Sequence, residues 1–332
     1  MSTRILLREE VLDLLATPRE VAICGHVNPD GDSLGSALAL TALLRAKGHT
    51  VTNLLAKGNK APELYDFFED YTFTPAADYN RKPDLFIAID VPNKDRLGEA
   101  AVHFDRATET LVIDHHPDYT GFATHYYGDP SVSATGALVW RLIMASEVTP
   151  TKAMATYCYV ALITDTGRFS FQNTTAEAFK AAGEMVSFGL DPSAITRLVY
   201  DSRLLASLQL DARLISRIAY AAEGRVVYSW VTESDFVELN VSRDETEGLP
   251  TILRSVKGTD VAVLLREEDG RVRVNLRAKG CCDVGAFARR FGGGGHQAAA
   301  GFTLEATLEE VKALIVKEAR TCVALQADNP SA

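Results

Sequence analysis

The sequence predicts an α/β protein with an N-terminal parallel sheet that carries helices on both faces, followed by a smaller C-terminal α+β domain. The first half alternates short apolar segments with segments whose apolar residues recur at helical spacing. The second half contains strand-like segments joined by a hairpin-type turn. The length of 332 residues exceeds a typical single core and favours two domains.

The first half contains four predicted strands, at residues 20–25, 51–56, 84–90 and 110–114. Apolar residues at helical spacing predict four helices, at residues 32–47, 134–146, 151–163 and 176–188. Short apolar strands separated by helices indicate a parallel sheet that is covered on both faces.

The second half has a different pattern. Residues 202–222 have the pattern of one long helix, which we expect to connect the domains. Predicted strands follow at residues 225–231, 260–266 and 271–277, and predicted helices at residues 283–291 and 308–320. The expected organisation is therefore a catalytic domain at residues 1–200, a helical linker at 201–222 and a second domain at 223–326, with the active site in the cleft between the two domains.

Composition and charge exclude several classes of protein. Hydrophobic residues make up 47% and charged residues 23% of the chain, as in ordinary globular proteins. The net charge of −10 disfavours long duplex DNA as a partner, because proteins that bind it through their general surface are usually basic. The chain has neither a signal-peptide pattern nor an apolar run of about 20 residues, so we expect a cytoplasmic protein without a membrane partner.

The strongest local signal is the run His26-Val27-Asn28-Pro29-Asp30-Gly31-Asp32-Ser33, which follows a strand and opens a helix. Its proline and glycine allow a tight turn that aims His26, Asp30 and Asp32 at one point. Imidazole and carboxylate ligands without thiolate suit Mn²⁺, Mg²⁺ or similar ions better than a structural zinc ion. The alternative is a helix cap on a solvated turn.

Further candidate ligands lie at the ends of later segments. Asp90 ends one apolar strand, and Asp114-His115-His116 ends the next. Because ligands bind beyond the carboxyl ends of the strands in parallel α/β sheets, the fold would bring these residues together. Asp165, after an apolar helical stretch, could complete the site. Taken singly, each residue has the alternative of a capping, turn or packing role.

The second half contains the run Gly292-Gly293-Gly294-Gly295-His296. Four consecutive glycines let backbone N–H groups approach an anion closely, and His296 could add a charge-assisted hydrogen bond. Arg277, at the end of a strand upstream, could pair with the same phosphate. The alternative is a flexible loop.

With these residues assembled, the chain resembles the DHH phosphoesterase family, which is named for the triplet present here as Asp114-His115-His116. The glycine run with His296 resembles the family's DHH-associated C-terminal domain. In length and layout the chain is most similar to the bifunctional nanoRNase (oligoribonuclease)/pAp phosphatase subgroup. That subgroup degrades very short oligoribonucleotides and removes the 3′-phosphate of adenosine 3′,5′-bisphosphate (pAp).

The resemblance implies a role for each residue and two divalent metal ions, with Mn²⁺ expected and Mg²⁺ or Co²⁺ as alternatives. The implied ligands are His26 and Asp30 on one ion, Asp32, His115 and Asp165 on the other, and Asp90 on both. His116 would face the substrate phosphate and act on the leaving group, and Asp114 would orient the histidines. Arg277, the glycines and His296 would bind the nucleotide.

The implied function is metal-assisted hydrolysis of short RNA oligonucleotides, dinucleotides or pAp to mononucleotides. The alternatives are a cyclic-dinucleotide phosphodiesterase on the same scaffold and a non-catalytic nucleotide sensor, which would be expected to lose metal ligands. A manganese pyrophosphatase is disfavoured by the glycine run. A RecJ-type exonuclease is disfavoured by the acidic charge. The sequence is compatible with a homodimer and does not fix the oligomeric state.

Overall fold

The structure, a computed structural model, describes residues 3–58, 60–246, 248–280, 282–295 and 297–327. The chain divides into two compact units, with the division between Ser202 and Arg203. Each unit contains its own sheet and its own apolar clusters. In the described part of the chain, no helix has both the length and the apolar character needed to cross a bilayer.

The sheet of the first unit has seven strands, all paired in parallel, in the order β1-β7-β6-β5-β2-β3-β4. The strands are β1 (Arg4–Ile5), β2 (Glu20–Cys24), β3 (Thr50–Leu55), β4 (Thr74–Pro75), β5 (Leu85–Ile89), β6 (Glu109–Asp114) and β7 (His125–Gly128). The four predicted strands correspond to β2, β3, β5 and β6, which are adjacent in the sheet. The sequence did not predict β1, β4 or β7, because segments of two to four residues are too short to show a period.

Helices cover both faces of this sheet. They are α1 (Arg8–Leu14), α2 (Gly31–Ala46), α3 (Ala101–Arg106), α4 (Thr135–Ala145), α5 (Lys152–Asp165), α6 (Ala176–Ser187) and α7 (Pro192–Tyr200). Val21 and Ile23 of β2 pack into one apolar cluster, and Ala22 and Cys24 pack into another. This alternation follows from the two-residue period of a strand. The predicted parallel sheet with helices on both faces is therefore confirmed.

The second unit is a six-stranded mixed sheet with helices. Its elements are α8 (Leu205–Ser216), β8 (Ala219–Ala221), β9 (Val226–Val231), α9 (Glu233–Leu239), α10 (Leu249–Arg254), β10 (Val261–Glu268), β11 (Arg271–Ala278), α11 (Val284–Arg289), β12 (Gly294–Gly295), β13 (Ala299–Leu304) and α12 (Leu308–Ala327). The strand order is β12-β13-β11-β10-β9-β8. Asp269 and Gly270 have φ angles of 52° and 74°, as a two-residue hairpin turn requires. The predicted α+β unit with its hairpin is confirmed.

The single helix expected over residues 202–222 is wrong. The helix α8 covers only Leu205–Ser216, and Ala219–Ala221 forms the edge strand β8, paired antiparallel with β9. Leu210 and Leu214 of α8 pack into an apolar cluster of the second unit. Helical spacing of apolar residues extends beyond Ser216, but strand pairing with β9 overrides it.

Candidate metal centre

His26 lies two residues beyond the end of β2, and its ring is oriented by a local contact. Its Nδ1 lies 2.8 Å from the backbone oxygen of Val27, so this nitrogen can donate while Nε2 is left as a ligand atom. The Nε2 atom lies 3.4 Å from Asp90 Oδ2 and 3.7 Å from Asp30 Oδ2. His26, Asp30 and Asp90 thus form one group of ligand atoms that lie within 4.8 Å of one another.

The turn after His26 is fixed by the start of α2. Asp30 is the N-cap residue, and its carboxylate accepts a hydrogen bond of 3.0 Å from the Ser33 backbone N–H. Gly31 is required by close packing, because a Cβ atom there would lie 2.6 Å from the side chain of Thr164. This contact brings the first turn of α2 against the end of α5, where Asp165 follows.

Asp32, His115 and Asp165 form a second group within 4.8 Å. The Nε2 atom of His115 lies 3.8 Å from Asp32 Oδ2 and 3.7 Å from Asp165 Oδ2. Its Nδ1 lies 3.2 Å from the backbone oxygen of Val132, which again leaves Nε2 as the ligand atom. The structure therefore brings together residues that lie up to 133 positions apart in the sequence.

Asp90 lies between the two groups. It follows β5 with a φ of 61°, a left-handed conformation that aspartate tolerates better than most residues. Its backbone N–H donates to the oxygen of Ile113 at 2.9 Å. While its Oδ2 faces His26, its Oδ1 lies 3.8 Å from His115 Nε2. One carboxylate thus faces both groups.

Asp114 and His116 form a hydrogen-bonded pair beside these groups. The Nδ1 atom of His116 lies 2.7 Å from Asp114 Oδ1 and 3.6 Å from Asp90 Oδ1. The Asp114 side chain is fully buried at the end of β6. This contact fixes the orientation of the His116 ring.

Neighbouring carboxylates raise the pKa of two of the histidines, His26 and His116. Burial alone would lower the pKa of His26, but hydrogen bonds with Asp30 and Asp90 outweigh it and raise the pKa to about 10. Burial would also lower the pKa of His116, but the hydrogen bond with Asp114 and the charge of Asp90 outweigh it and raise the pKa to about 9. Each effect reflects closely placed negative charge.

The pKa values of the carboxylates are shifted in both directions. Burial raises the pKa of Asp32 and Asp165 well above the usual range, and the negative charge of Asp90 raises both further. Burial also disfavours the charged form of Asp90, but the hydrogen bond with His26 and the charge of His116 lower its pKa below the usual range. The buried carboxylates thus disfavour one another's charged forms, an effect that a bound cation would relieve.

This donor set fits two divalent metal ions. The two groups contain four carboxylates, whose negative charges would be balanced by two doubly charged cations, and two imidazoles. Oxygen and nitrogen donors without thiolate suit Mn²⁺, Mg²⁺ and similar ions. The two imidazole Nδ1 atoms that contact backbone carbonyls leave both Nε2 atoms facing the carboxylates.

Several residues that orient the ligands were missed by sequence reasoning. The backbone N–H groups of Thr135 and Gly136 donate to Asp32 at 2.7 and 2.8 Å, and the Thr135 hydroxyl donates to Asp90 Oδ1 at 2.9 Å. Asn173 Nδ2 donates to Asp165 Oδ2 at 3.0 Å. The only sequence signal was that Thr135 begins an apolar helical segment, where N–H groups lack helical partners and attract anions.

Arg277 lies near the end of β11 in the second unit. It is half-buried, and its Nη1 donates to the backbone oxygen of Leu276 at 3.0 Å. Burial and the neighbouring charge of Arg254 lower the pKa of Arg277 to about 10. Within the described residues no carboxylate forms an ion pair with Arg277, so its charge is available to an anion.

The glycine run has a structural role that the sequence did not reveal. The backbone N–H groups of Gly292 and Gly293 already donate to Arg289 and Ala288, at 3.2 and 3.0 Å. A Cβ atom on Gly293 would lie 2.2 Å from the oxygen of Gly301. These two N–H groups are therefore occupied within the unit, whereas Gly294 and Gly295 form the exposed edge strand β12. His296 lies outside the described residues.

Two sequence models match this chain. The model of the DHH family, N-terminal domain, matches residues 20–162, and the model of the DHHA1 domain matches residues 223–325. The first match includes five of the six ligand positions, and the second includes Arg277 and the glycine run. The chain belongs to the DHH phosphoesterase family.

Relatives and a solved structure extend over nearly the whole chain. The bifunctional oligoribonuclease and PAP phosphatase NrnA of Bacillus subtilis is 26% identical over 302 residues, which cover 90% of this chain and 93% of that protein. The protein of the same name from Thermus thermophilus is 29% identical over 298 residues, covering 89% and 87%. An exopolyphosphatase-related protein from Bacteroides fragilis shares the fold, with a TM-score of 0.88, 24% identity and coverage of 96% and 97%.

Proposed function

We propose that this protein is a metal-dependent phosphoesterase that hydrolyses short oligoribonucleotides and pAp to mononucleotides. The observation that carries the proposal is the pair of ligand groups, one of which contains Asp90, together with the distance of 3.8 Å from Asp90 Oδ1 to His115 Nε2 of the other group. It is supported by the two relatives named bifunctional oligoribonuclease and PAP phosphatase, each matching about nine tenths of the chain. An enzyme with these substrates would act where RNA is degraded, so the proposal includes a cytoplasmic location.

The proposed metal ligands follow the two groups. His26 and Asp30 would hold one ion, Asp32, His115 and Asp165 the other, and Asp90 would contact both. We expect Mn²⁺, with Mg²⁺ and Co²⁺ as alternatives. When bound, two such ions supply an activated water and neutralise charge on the phosphoryl oxygens.

The remaining residues act on the substrate. His116 would protonate the leaving oxygen through Nε2, because its Nδ1 is engaged by Asp114. Asp114 would act by positioning this ring, since its carboxylate is fully buried and lies 2.7 Å from Nδ1. Arg277 would bind a phosphate of the nucleotide through its guanidinium, which forms no ion pair with a described carboxylate. Gly294, Gly295 and His296 would contribute further contacts.

The test is a comparison of turnover on defined substrates. The full chain is incubated with Mn²⁺ and pAp, with linear di- to pentaribonucleotides, and with cyclic dinucleotides. We expect the highest kcat/KM on the linear oligonucleotides and on pAp. Turnover of cyclic dinucleotides alone would replace the proposal with a cyclic-dinucleotide phosphodiesterase. Binding of nucleotides without turnover of any substrate would replace it with a sensor.

A further inference from the structure

Arg96 lies in the connection that follows Asp90 in the first unit. It belongs to the 3₁₀-helical segment Lys94–Ala100, and its backbone oxygen accepts a hydrogen bond of 2.8 Å from the Val27 N–H. Val27 is the residue after His26, and its own backbone oxygen contacts the His26 ring at 2.8 Å. The backbone of Arg96 is thus joined directly to the turn that carries a candidate metal ligand.

Close packing fixes this segment against the turn. Gly98 has a φ of 51°, and a Cβ atom there would lie 2.7 Å from Val27 Cγ1 and 2.5 Å from the Ala56 oxygen. The next residue, Glu99, donates its backbone N–H to the same oxygen at 2.8 Å. The position of Arg96 beside the turn is therefore set by backbone contacts and does not depend on its side chain.

The charge of Arg96 acts on two histidines of the site. Burial lowers the pKa of His26 and of His116, and the positive charge of Arg96 lowers both further, against the raising effect of the carboxylates. These two rings contact Asp90, at 3.4 and 3.6 Å. Because the interaction of two charges weakens with distance, the guanidinium lies beside the pair of histidines that flank Asp90.

Arg96 has no partner of opposite charge among the residues that the structure describes. Its side chain is half-buried, and no carboxylate in the described ranges forms an ion pair with it. The neighbouring Lys94, in contrast, pairs with Asp105 at 2.5 Å. A half-buried guanidinium without an acceptor has lost part of its hydration, so an anionic ligand would stabilise it through charge-assisted hydrogen bonds.

Charge balance indicates which anion fits this position. Two doubly charged cations would balance the four carboxylates of the two ligand groups before a phosphoryl group, with its own negative charge, arrives. During phosphoryl transfer that charge is spread over the non-bridging oxygens and the leaving oxygen. Arginine keeps its positive charge at ordinary pH and can bind two phosphate oxygens at once. A phosphoryl group at the metal centre is therefore the anion that Arg96 suits.

We propose that Arg96 binds a non-bridging oxygen of the phosphoryl group that is hydrolysed. It stabilises the negative charge on that oxygen while water adds to phosphorus and releases a proton to solvent. The bond to the leaving oxygen breaks with its electron pair on that oxygen, which takes a proton from His116. The inference rests on the proposed function for the reaction, and it gives Arg96 a catalytic role separate from the binding contact of Arg277.

The test is the substitution Arg96→Gln, which removes the charge and keeps much of the side-chain length. We expect kcat on pAp and on a linear pentanucleotide to fall about a hundredfold with little change in KM, as for the loss of one preorganised donor. Arg96→Lys should recover about a tenth of the wild-type kcat, because it retains a charge without the planar fork. The matched control Lys94→Gln removes a cation of the same segment that is already paired with Asp105, and it should leave kcat unchanged.

The affinity for Mn²⁺ separates this role from a structural one. A side chain that only held the turn at His26 would, when substituted, weaken Mn²⁺ binding. A side chain that acts on the substrate would leave Mn²⁺ binding equal or tighter, because its removal takes a positive charge away from the site. In Arg96→Ala, guanidinium ion at a low, non-denaturing concentration should raise kcat at least tenfold, and urea at the same concentration should not. An unchanged kcat, or equal losses of kcat and Mn²⁺ affinity, would overturn the inference.

A last measurement does not require that any nucleotide is hydrolysed. The binding of inorganic phosphate to the full chain loaded with Mn²⁺ is measured by calorimetry. Arg96→Gln should bind phosphate about tenfold more weakly than the wild type, the loss expected for one charge-assisted hydrogen bond. This difference without turnover of pAp or oligonucleotides would support the inference and reject only the proposed substrates. Equal affinities, including no binding by either protein, would overturn it.

Discussion

The substitution Asp90→Asn tests whether one carboxylate serves both ligand groups. Asparagine keeps the shape of the side chain and tolerates the left-handed φ of 61° at this position. The amide oxygen can still accept from the Thr135 hydroxyl, which now lies 2.9 Å from Asp90 Oδ1. The substitution therefore removes one negative charge with little change of structure, so a large effect would report on the charge itself.

The expected magnitude follows from the distances around Asp90. Its Oδ2 lies 3.4 Å from His26 Nε2, and its Oδ1 lies 3.8 Å from His115 Nε2. At about 4 Å and an effective dielectric constant of about 20, a pair of unit charges contributes about 4 kcal/mol. Since about 1.4 kcal/mol corresponds to a factor of ten, the loss is about a thousandfold in metal affinity.

The assay is a titration of the metal-free protein with Mn²⁺, followed by isothermal calorimetry or by the paramagnetic resonance of free Mn²⁺. We expect both binding steps to weaken, and kcat at the highest usable Mn²⁺ concentration to fall by a similar factor. The control Asp105→Asn removes an exposed carboxylate that pairs only with Lys94 among the described residues, and it should bind Mn²⁺ normally. Two wild-type binding steps in Asp90→Asn would refute the shared role.

Three further changes test separate parts of the molecule. Arg277→Gln should raise KM for pAp and for oligonucleotides about tenfold, with unchanged Mn²⁺ content, because it removes a phosphate contact. Thr135→Val should weaken Mn²⁺ binding about tenfold, because it removes the hydroxyl that orients Asp90. Asp235→Asn should lower the free energy of unfolding by about 3 kcal/mol in urea at pH 7, because it leaves Arg213 and Arg217 without their buried partner.

The contribution of Asp235 also has a defined pH dependence. Burial alone would raise the pKa of Asp235, but hydrogen bonds from Arg217 and Arg213 lower it well below its ordinary value of 3.8. The contribution of Asp235 to the free energy of unfolding is therefore fully present above pH 3.8 and is lost as the pH falls towards the lowered pKa. Equal acid sensitivity of Asp235→Asn and the wild type would contradict this. An unchanged KM in Arg277→Gln would contradict the phosphate contact of Arg277. An unchanged Mn²⁺ affinity in Thr135→Val would contradict the orienting role of the Thr135 hydroxyl.

The sequence predicted the inner part of the sheet because its strands are apolar on both faces. The strand β5 is buried throughout and β6 is buried from Thr110 onward, and the acidic residues Asp90 and Asp114 stand out at their ends. Parallel strands place their carboxyl ends at one edge, so the approach of Asp90 and His115 to the motif at His26 could be expected from topology. The structure confirms that these side chains come together.

Other features depended on contacts that no local pattern contains. The backbone N–H groups of Thr135 and Gly136 donate to Asp32, which lies more than 100 positions earlier in the sequence. Every residue except proline has such an N–H group, so the residue types at these positions do not predict the contact. Residues Ala219–Ala221 have a helical pattern but pair with β9 instead. The N–H groups of Gly292 and Gly293 were free in the sequence-based interpretation, whereas in the fold they close the end of α11.

The net charge of the chain implies an upper limit on substrate length. The net charge of −10 repels a polyanion from the general surface, and at physiological salt this repulsion acts over about 8 Å. Each phosphate beyond the one that Arg277 would bind would meet the acidic surface and be repelled by it. Affinity should therefore increase with the first few nucleotides and then stop increasing. A plateau or a maximum of kcat/KM at short lengths follows from the same charges that exclude long nucleic acid.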